Sequence, residues 1–251
     1  MMEAMILAAG AGTRLRPLTD RTPKALIEVR GRPLLAHVIG RLVSAGASRI
    51  IVNTHHHEEQ IGAFLARHAP SDVEIVLSPE PDGPYGTGGG LLKAAPLFRE
   101  DGPFLLHNVD VLSTVPLDGL VAEHVAAQAP WGRRVLASLA VQDRAANRAL
   151  LFDAEGLMGW ENRRDDGKLL ASERVREPVA AVARRAFTGI HVVEPAVFHL
   201  CRRTGRFSII DWYLDLAAQE YAILPIDVSM HEWTDVGTPS RLADARDMGE
   251  N

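Results

Sequence analysis

Apolar residues fall along the first half of this chain in two rhythms that alternate. Short apolar runs read as buried strands: Met5–Ala9, Arg49–Thr54, Val73–Leu77 and Pro103–His107. Between them, apolar residues recur every three or four positions, the spacing of one helix face. Leu34, Leu35, Val38, Ile39, Leu42 and Val43 do so after Pro33, which suits a first helical turn, and Gly46 is a natural stop. Glu58–His68 follows with Ile61, Phe64 and Leu65 inward, and a third helix runs from the Thr87–Gly90 glycines to about Ala95. Alternating strands and helices predict an α/β fold, Rossmann-like and doubly wound, with a mixed, mainly parallel sheet and right-handed crossovers. Ala25–Val29 adds a short strand.

The rhythm then changes. A helix over Leu117–Ala129 precedes a longer strand, Val135–Val141. Short strand-like pieces follow at Ala149–Phe152 and Leu157–Trp160, with charged turns at Arg163–Gly167. This predicts a small antiparallel extension that walls a second pocket. Ala180–Ala186 reads as a solvated segment and Phe187–Val193 as a strand with Gly189 inside it. An interior glycine weakens a strand unless something must come close. Pro195 opens a helix through Leu200, and Ser208 and Asp211 form a capping-box-like start for a helix to Gln219. Ile223–Asp227 is a strand, and Ser240 to about Met248 a last helix.

The chain has 251 residues, 47% of them hydrophobic, enough for one large core. The formal net charge of -5 comes with no dominant basic stripe, which argues against nucleic acid as the main partner. A single cysteine, Cys201, excludes an internal disulfide and a multi-cysteine zinc site, and reads as a buried small apolar residue. No apolar run reaches the ~18 residues that span a bilayer. The N-terminus has no basic leader region. A soluble, cytoplasmic protein without membrane partners is expected; oligomeric state is not readable.

The chemistry concentrates in Met5–Lys24. A strand runs into Gly10-Ala11-Gly12-Thr13-Arg14, and a segment from Pro17 to Pro23 then delivers Lys24. Such a loop presents backbone N–H groups to phosphate. The dinucleotide fingerprint needs a third glycine where this chain has Leu15, and no P-loop run exists. An NAD-dependent oxidoreductase is therefore disfavoured. Pro17 cuts off any helix, so the loop is expected to stay extended and to carry Arg14 and Lys24 back over the fold. Two cations with free amides suit a polyphosphate. Asp110 ends the strand Pro103–His107 through Asn108-Val109-Asp110, where open α/β sheets bind ligands, and is a candidate metal ligand. His55-His56-His57 point to alternating faces on an extended segment and do not converge on one ion.

The run L-A-A-G-x-G-T-R-L-x-P-L-T…T-P-K resembles the sugar-1-phosphate nucleotidyltransferases, as do Thr87–Gly90, Asn108–Asp110 and Trp233-Thr234-Asp235-Val236-Gly237-Thr238-Pro239. The family's usual triplet has glycine where this chain has Val109. The resemblance implies an NTP and a sugar 1-phosphate as substrates, Mg²⁺ as cofactor, and Asp110 with Asp235 as its ligands. It implies catalytic roles for Arg14 on the triphosphate and Lys24 on the sugar phosphate. Nucleotide-binding positions are Ala8, Gly10, Gly12, Thr13, Glu80 and Gly88, with Glu80 as a base reader and the glycines letting the nucleotide approach. Substrate-binding positions are Asn108, Glu161, Thr188 and Gly189, with Trp160 and Asn162 beside Glu161 at the sugar. One domain over 1–251 is expected, about 1–130 binding nucleotide and about 131–251 binding sugar and supplying the second metal ligand. No hexapeptide-repeat tail follows, so a single activity is expected. Thr87-Gly88-Gly89-Gly90 followed by Leu91-Leu92-Lys93-Ala94, together with the short chain, looks most like the N-acetylmuramate 1-phosphate uridylyltransferases of cell-wall recycling. Mannose or heptose 1-phosphate guanylyltransferases and glucose 1-phosphate thymidylyltransferases are the alternatives. An inactive nucleotide-sugar sensor is disfavoured, because all four charged site residues are present.

Overall fold

The computed structural model describes residues 2–99, 101–131 and 134–247. Strand β1 (Met2–Leu7) leads into three single turns of 3-10 helix, at Thr13–Leu15, Leu18–Asp20 and Lys24–Leu26. A small hairpin of β2 (Glu28–Val29) and β3 (Arg32–Pro33) follows. Then come α1 (Leu34–Ser44), β4 (Ala47–Thr54), α2 (Glu58–His68), β5 (Glu74–Pro79), α3 (Gly86–Ala94) and β6 (Phe104–Asn108). The second half holds β7 (Val111–Ser113), α4 (Leu117–Trp131), β8 (Val135–Gln142), β9 (Arg148–Asp153), β10 (Gly156–Arg163), β11 (Leu169–Arg174) and β12 (Ala183–Val193). It closes with α5 (Val197–Leu200), α6 (Ile209–Ala218), β13 (Ala222–Asp227), β14 (Trp233–Asp235) and α7 (Pro239–Asp247). The expected end of the last helix, Met248, lies outside the described residues.

The parallel strands stand in the order β5-β4-β1-β6. The chain moves outward from β1 through β4 to β5, then returns to the other side of β1 as β6. The strand order reverses between β1 and β6, and ligands bind above such a reversal in open α/β sheets. Leu7 and Asn108 are register partners there. The glycine loop and the Asn108–Asp110 segment therefore leave the sheet side by side.

Alternation along the strands sends side chains to two faces. Ala4 and Ile6 pack under α1 and α2 with Leu35, Val38, Leu42 and Ile61. Met5 faces the other way, toward α3 and α6, with Leu91, Trp212, Tyr213 and Leu216. Helices thus cover both faces, as a doubly wound sheet requires. Each fully buried leucine or isoleucine contributes about 1.5–3 kcal/mol relative to exposure. A third cluster joins Leu15 and Val29 to Val236, Leu242 and Ala245, tying the first loop to the last helix.

Antiparallel β12 turns the sheet into its extension. Its C-terminal end pairs with β6 and β8, while Ala183–Arg185 pair with β9. Strands β9, β10 and β11 continue antiparallel. Three expectations need correcting. The loop after Gly12 is not extended: Pro17 and Pro23 sit just before its second and third helical turns, because their fixed φ suits a helix start. Lys24–Leu26 form such a turn, so the expected strand there shrinks to Glu28–Val29. Strand β12 begins at Ala183, inside the segment read as solvated, and β11 was not evident at all; every β11 residue is exposed, so no burial pattern marks it.

Candidate active site

Asn53 is the last residue but one of β4 and is almost fully buried. Its Oδ1 accepts the Ala8 N–H at 2.6 Å and the Ala9 N–H at 3.3 Å. Its Nδ2 donates to Glu80 Oε1 at 2.7 Å, and Glu80 Oε2 accepts the Tyr85 N–H at 2.8 Å. Buried polar groups need such partners, and here they form one strut from the glycine loop to the loop before α3. Two groups expected at the nucleotide thus have partners within the protein. Ala8 is buried with its N–H already taken. Glu80 is 0% exposed with both oxygens engaged, so it braces the loop at the wall of the first cavity. Nothing in the periodicity marked Asn53, a polar residue ending an apolar run.

Gly10, Gly12, Thr13 and Lys24 line a cavity of about 420 Å³ together with Asn108 and Asp110. Gly12 has φ +60°, and a Cβ there would stand 2.8 Å from Thr19 Cγ2, so the turn admits only glycine. Gly88 does not line this cavity. A Cβ on Gly88 would stand 2.4 Å from the Phe207 ring, and its N–H donates to Phe207 O at 3.1 Å. On Gly89 and Gly90 a Cβ would meet Gly205 O at 2.4 Å and Glu80 Oε1 at 2.6 Å. The close approach that these glycines permit is made by the chain itself, not by a nucleotide.

Lys24 forms an ion pair with Asp110 Oδ2 and Arg241 one with Asp235 Oδ2. Strands β7 and β14 pair as a two-stranded ribbon, and the Val236 N–H donates to Asp110 O at 2.8 Å. The two aspartates, 125 positions apart in sequence, are thus neighbours across one ribbon. Gly237 donates its N–H to Asp235 Oδ1 at 3.1 Å. A Cβ on Gly237 would stand 3.0 Å from Arg14 Nη2, so glycine there lets Arg14 reach the same turn. Two hard carboxylates on one wall fit Mg²⁺, which takes one or two of them and completes its shell with phosphate oxygens and water. Among the described residues no group of three or more metal-ligating side chains is gathered, at His55–His57 or elsewhere. His55 instead donates from Nδ1 to Glu80 O at 2.7 Å, and His57 sits before α2 at φ 57°.

A second cavity, about 770 Å³, shares Asn108 and Asp110 with the first and is also lined by Arg14, Thr188, Gly189 and Asp235. Seven arginines border it against two aspartates. Arg144 stacks over the Trp233 ring at 4.2 Å and donates from Nε to Gln142 Oε1 at 3.2 Å. Burial, with Arg241 nearby, lowers its pKa from the ordinary 12.5, although it stays charged. Glu161 is buried behind the wall. It accepts from Arg163 at 2.8 and 3.2 Å and pairs with Arg184. The Arg163 hydrogen bonds, followed by those from Arg184, hold its carboxyl below the usual carboxylate range. Glu161 is therefore an anchor for two arginines, not a sugar contact, and Arg184 is not merely solvated. One carboxylate between two cations leaves an excess positive charge.

Trp160 also lies off the cavity, donating from Nε1 to Glu173 Oε2 at 3.1 Å; Trp233 supplies the aromatic wall. Thr188 spends its hydroxyl on Ala140 O at 2.7 Å, and its carbonyl accepts from Trp233 Nε1 at 2.8 Å. Gly189 has φ +82°, and a Cβ there would stand 2.5 Å from Asn108 Nδ2. The interior glycine of β12 thus makes room for Asn108. Cys201 is only half-buried and contacts Arg203 O at 3.8 Å.

Residues 3–156 match the family described as Nucleotidyl transferase. The N-acetylmuramate alpha-1-phosphate uridylyltransferase of Neisseria meningitidis serogroup B is 35% identical over 78% of this chain and 77% of that protein. Its namesake from Caulobacter vibrioides is 33% identical over 96% and 97%. The mannose-1-phosphate guanyltransferase of Pichia angusta is 31% identical over 95% of this chain and 61% of its own length. Among solved structures, a putative glucose-1-phosphate thymidylyltransferase from Bacillus anthracis superposes with a TM-score of 0.72 at 22% identity, covering 100% and 98% of the two chains. That likeness is one of fold.

Proposed function

The chain belongs to the nucleotidyl transferase family and is a sugar-1-phosphate nucleotidyltransferase, and from that premise we propose that it joins UTP to N-acetylmuramate 1-phosphate. A phosphate oxygen of the sugar attacks the α-phosphorus of UTP; a new P–O bond forms and pyrophosphate leaves. Two anions have to meet, so positive charge at the junction does most of the work. The amides of Gly10–Thr13 hold the triphosphate in the first cavity, and the Arg14 guanidinium, which lines the second, meets the phosphates where the two cavities join. Lys24 lines the first cavity beside Asp110, which both cavities share, and from there neutralises the sugar phosphate. Asp110 and Asp235 would hold Mg²⁺, which supplies Lewis-acid stabilisation to the phosphates. Asn108, at the junction of the two cavities, orients the incoming sugar phosphate.

The observation that carries the sugar assignment is the arginine wall of the second cavity. One phosphate does not call for so many cations, whereas N-acetylmuramate carries a carboxylate in addition to its 1-phosphate. Arg144 and Arg184 would take that carboxylate. A neutral mannose or glucose 1-phosphate leaves Arg144 with only Gln142 and Trp233, and Arg184 with only its share of Glu161. The test is pyrophosphate release with Mg²⁺ across a grid of NTPs and sugar 1-phosphates. UTP with N-acetylmuramate 1-phosphate should be the best pair; turnover only with GTP would reject the uridylyl assignment. The chain is expected to act in the cytoplasm; no described helix is long and apolar enough to cross a membrane.

A further inference from the structure

The segment Gly205-Arg206-Phe207 crosses α3 between α5 and α6, and the glycines of α3 are what admit it. Phe207 is pinned by its backbone: its N–H donates to Tyr85 O at 3.1 Å, and its carbonyl accepts from Gly88 at 3.1 Å. Two residues on, the Ile209 N–H donates to Thr87 Oγ1 at 2.9 Å. The Phe207 ring packs edge-on against Trp212. Gly205 meets Gly89 on the other side, where a Cβ would come within 2.4 Å of its carbonyl. Arg206 is thus held between two residues that are themselves seated on α3.

Arg206 borders the first cavity beside Pro84, Gly86 and Thr87, away from Arg14. Its side chain is exposed, and among the described residues no hydrogen bond or ion pair engages its guanidinium. Five N–H donors over a cavity call for acceptor oxygens. The phosphate end of this cavity already has Lys24 and the glycine-loop amides. At the Arg206 end the remaining groups are neutral, apart from Glu80, whose oxygens are spent within the protein.

We infer that Arg206, positioned by Gly88 and Gly89 of α3, is a base-binding residue that donates hydrogen bonds to a carbonyl oxygen of the base. The inference rests on the nucleotidyltransferase reading and adds to it a base contact from the second half of the chain. It explains why α3 tolerates Gly88 and Gly89 at a helix-propensity cost: they seat the segment that carries Arg206, while Gly90 makes room for Glu80.

The experiment uses the full-length protein with Mg²⁺, UTP and the sugar 1-phosphate that the grid selects. Arg206→Ala should raise KM for UTP by roughly ten- to a hundredfold, the value of one charge-assisted hydrogen bond. The kcat at saturating UTP and the KM for the sugar should stay within about twofold, and Arg206→Lys should recover part of the loss. Inhibition by tripolyphosphate, which has no base, should be the same in wild type and Arg206→Ala. An unchanged KM for UTP, or an equal loss of tripolyphosphate and UTP binding, would overturn the inference. Wild-type protein inactive with every NTP would instead reject the nucleotidyltransferase reading, so the two failures are distinguishable.

Discussion

The two sides of the site are built by different physics. Around the first cavity, by β1, β4 and α3, the loops are held by buried hydrogen bonds and glycine contacts: Asn53 to Ala8 and Glu80, Gly88 to Phe207. On the other side, around β8 to β12, charged groups dominate: Glu161 anchors Arg163 and Arg184, and Arg144 lies on Trp233. Satisfied hydrogen bonds fix a shape, which suits a triphosphate whose form is the same for every NTP. Excess charge fixes a preference, which suits a site that must choose among sugars. Asn108 and Asp110 belong to both sides.

The largest expected effect lies at that junction. Asp110→Asn and Asp235→Asn should each lower kcat by roughly 10³-fold, comparable to losing a preorganised group that stabilises transition-state charge. Pyrophosphate release measures it, and a fully active Asp235→Asn would remove that residue from the proposed metal site.

The next effect concerns the seam beneath the site. His107 on β6 and His191 on β12 are fully buried on adjoining strands. Desolvation lowers their pKa values from the ordinary 6.5 to about 4 and about 3. The unfolded chain takes up protons below about pH 6.5 and the buried rings do not, so this contribution to stability is full above that pH. It declines as pH falls from about 6.5 through 4, by up to about 3 kcal/mol for His107 alone. Urea unfolding at pH 7 and pH 4.5 checks it; a flat profile would contradict the burial argument.

Gly89→Ala separates the two explanations of the α3 glycines by sign. If they faced only ligand, alanine would stabilise the helix by up to ~1 kcal/mol. With a carbonyl 2.4 Å from the new Cβ, the change should instead cost about 1–3 kcal/mol in urea unfolding. The smallest effect is predicted on the charged side. Arg144→Gln should raise KM for an acidic sugar 1-phosphate by about tenfold and leave KM for UTP unchanged. An equal effect on both substrates would dissolve the contrast between the two sides.

These differences also account for what could be read from residues alone. The α/β alternation, the bounds of α2, the capping role of Ser208 and the lining positions Gly12, Lys24, Asn108, Asp110 and Asp235 were legible, because local periodicity or a contiguous motif carries them. Glu80, Gly88 and Glu161 were assigned to ligands, yet each also contacts another segment of the chain: Asn53, Phe207 and Arg184. A carboxylate or a glycine looks the same in sequence whether it serves a ligand or another segment. Strand β11 was hidden because backbone pairing with β10, not side-chain burial, defines it.

The most direct test of the account compares two sugars that differ only in the carboxylate-bearing ether. With UTP and Mg²⁺, kcat/KM should favour N-acetylmuramate 1-phosphate over N-acetylglucosamine 1-phosphate by about tenfold or more, the value of at least one charge-assisted hydrogen bond. Equal kcat/KM for the two would contradict the claim that the arginine wall selects an acidic sugar.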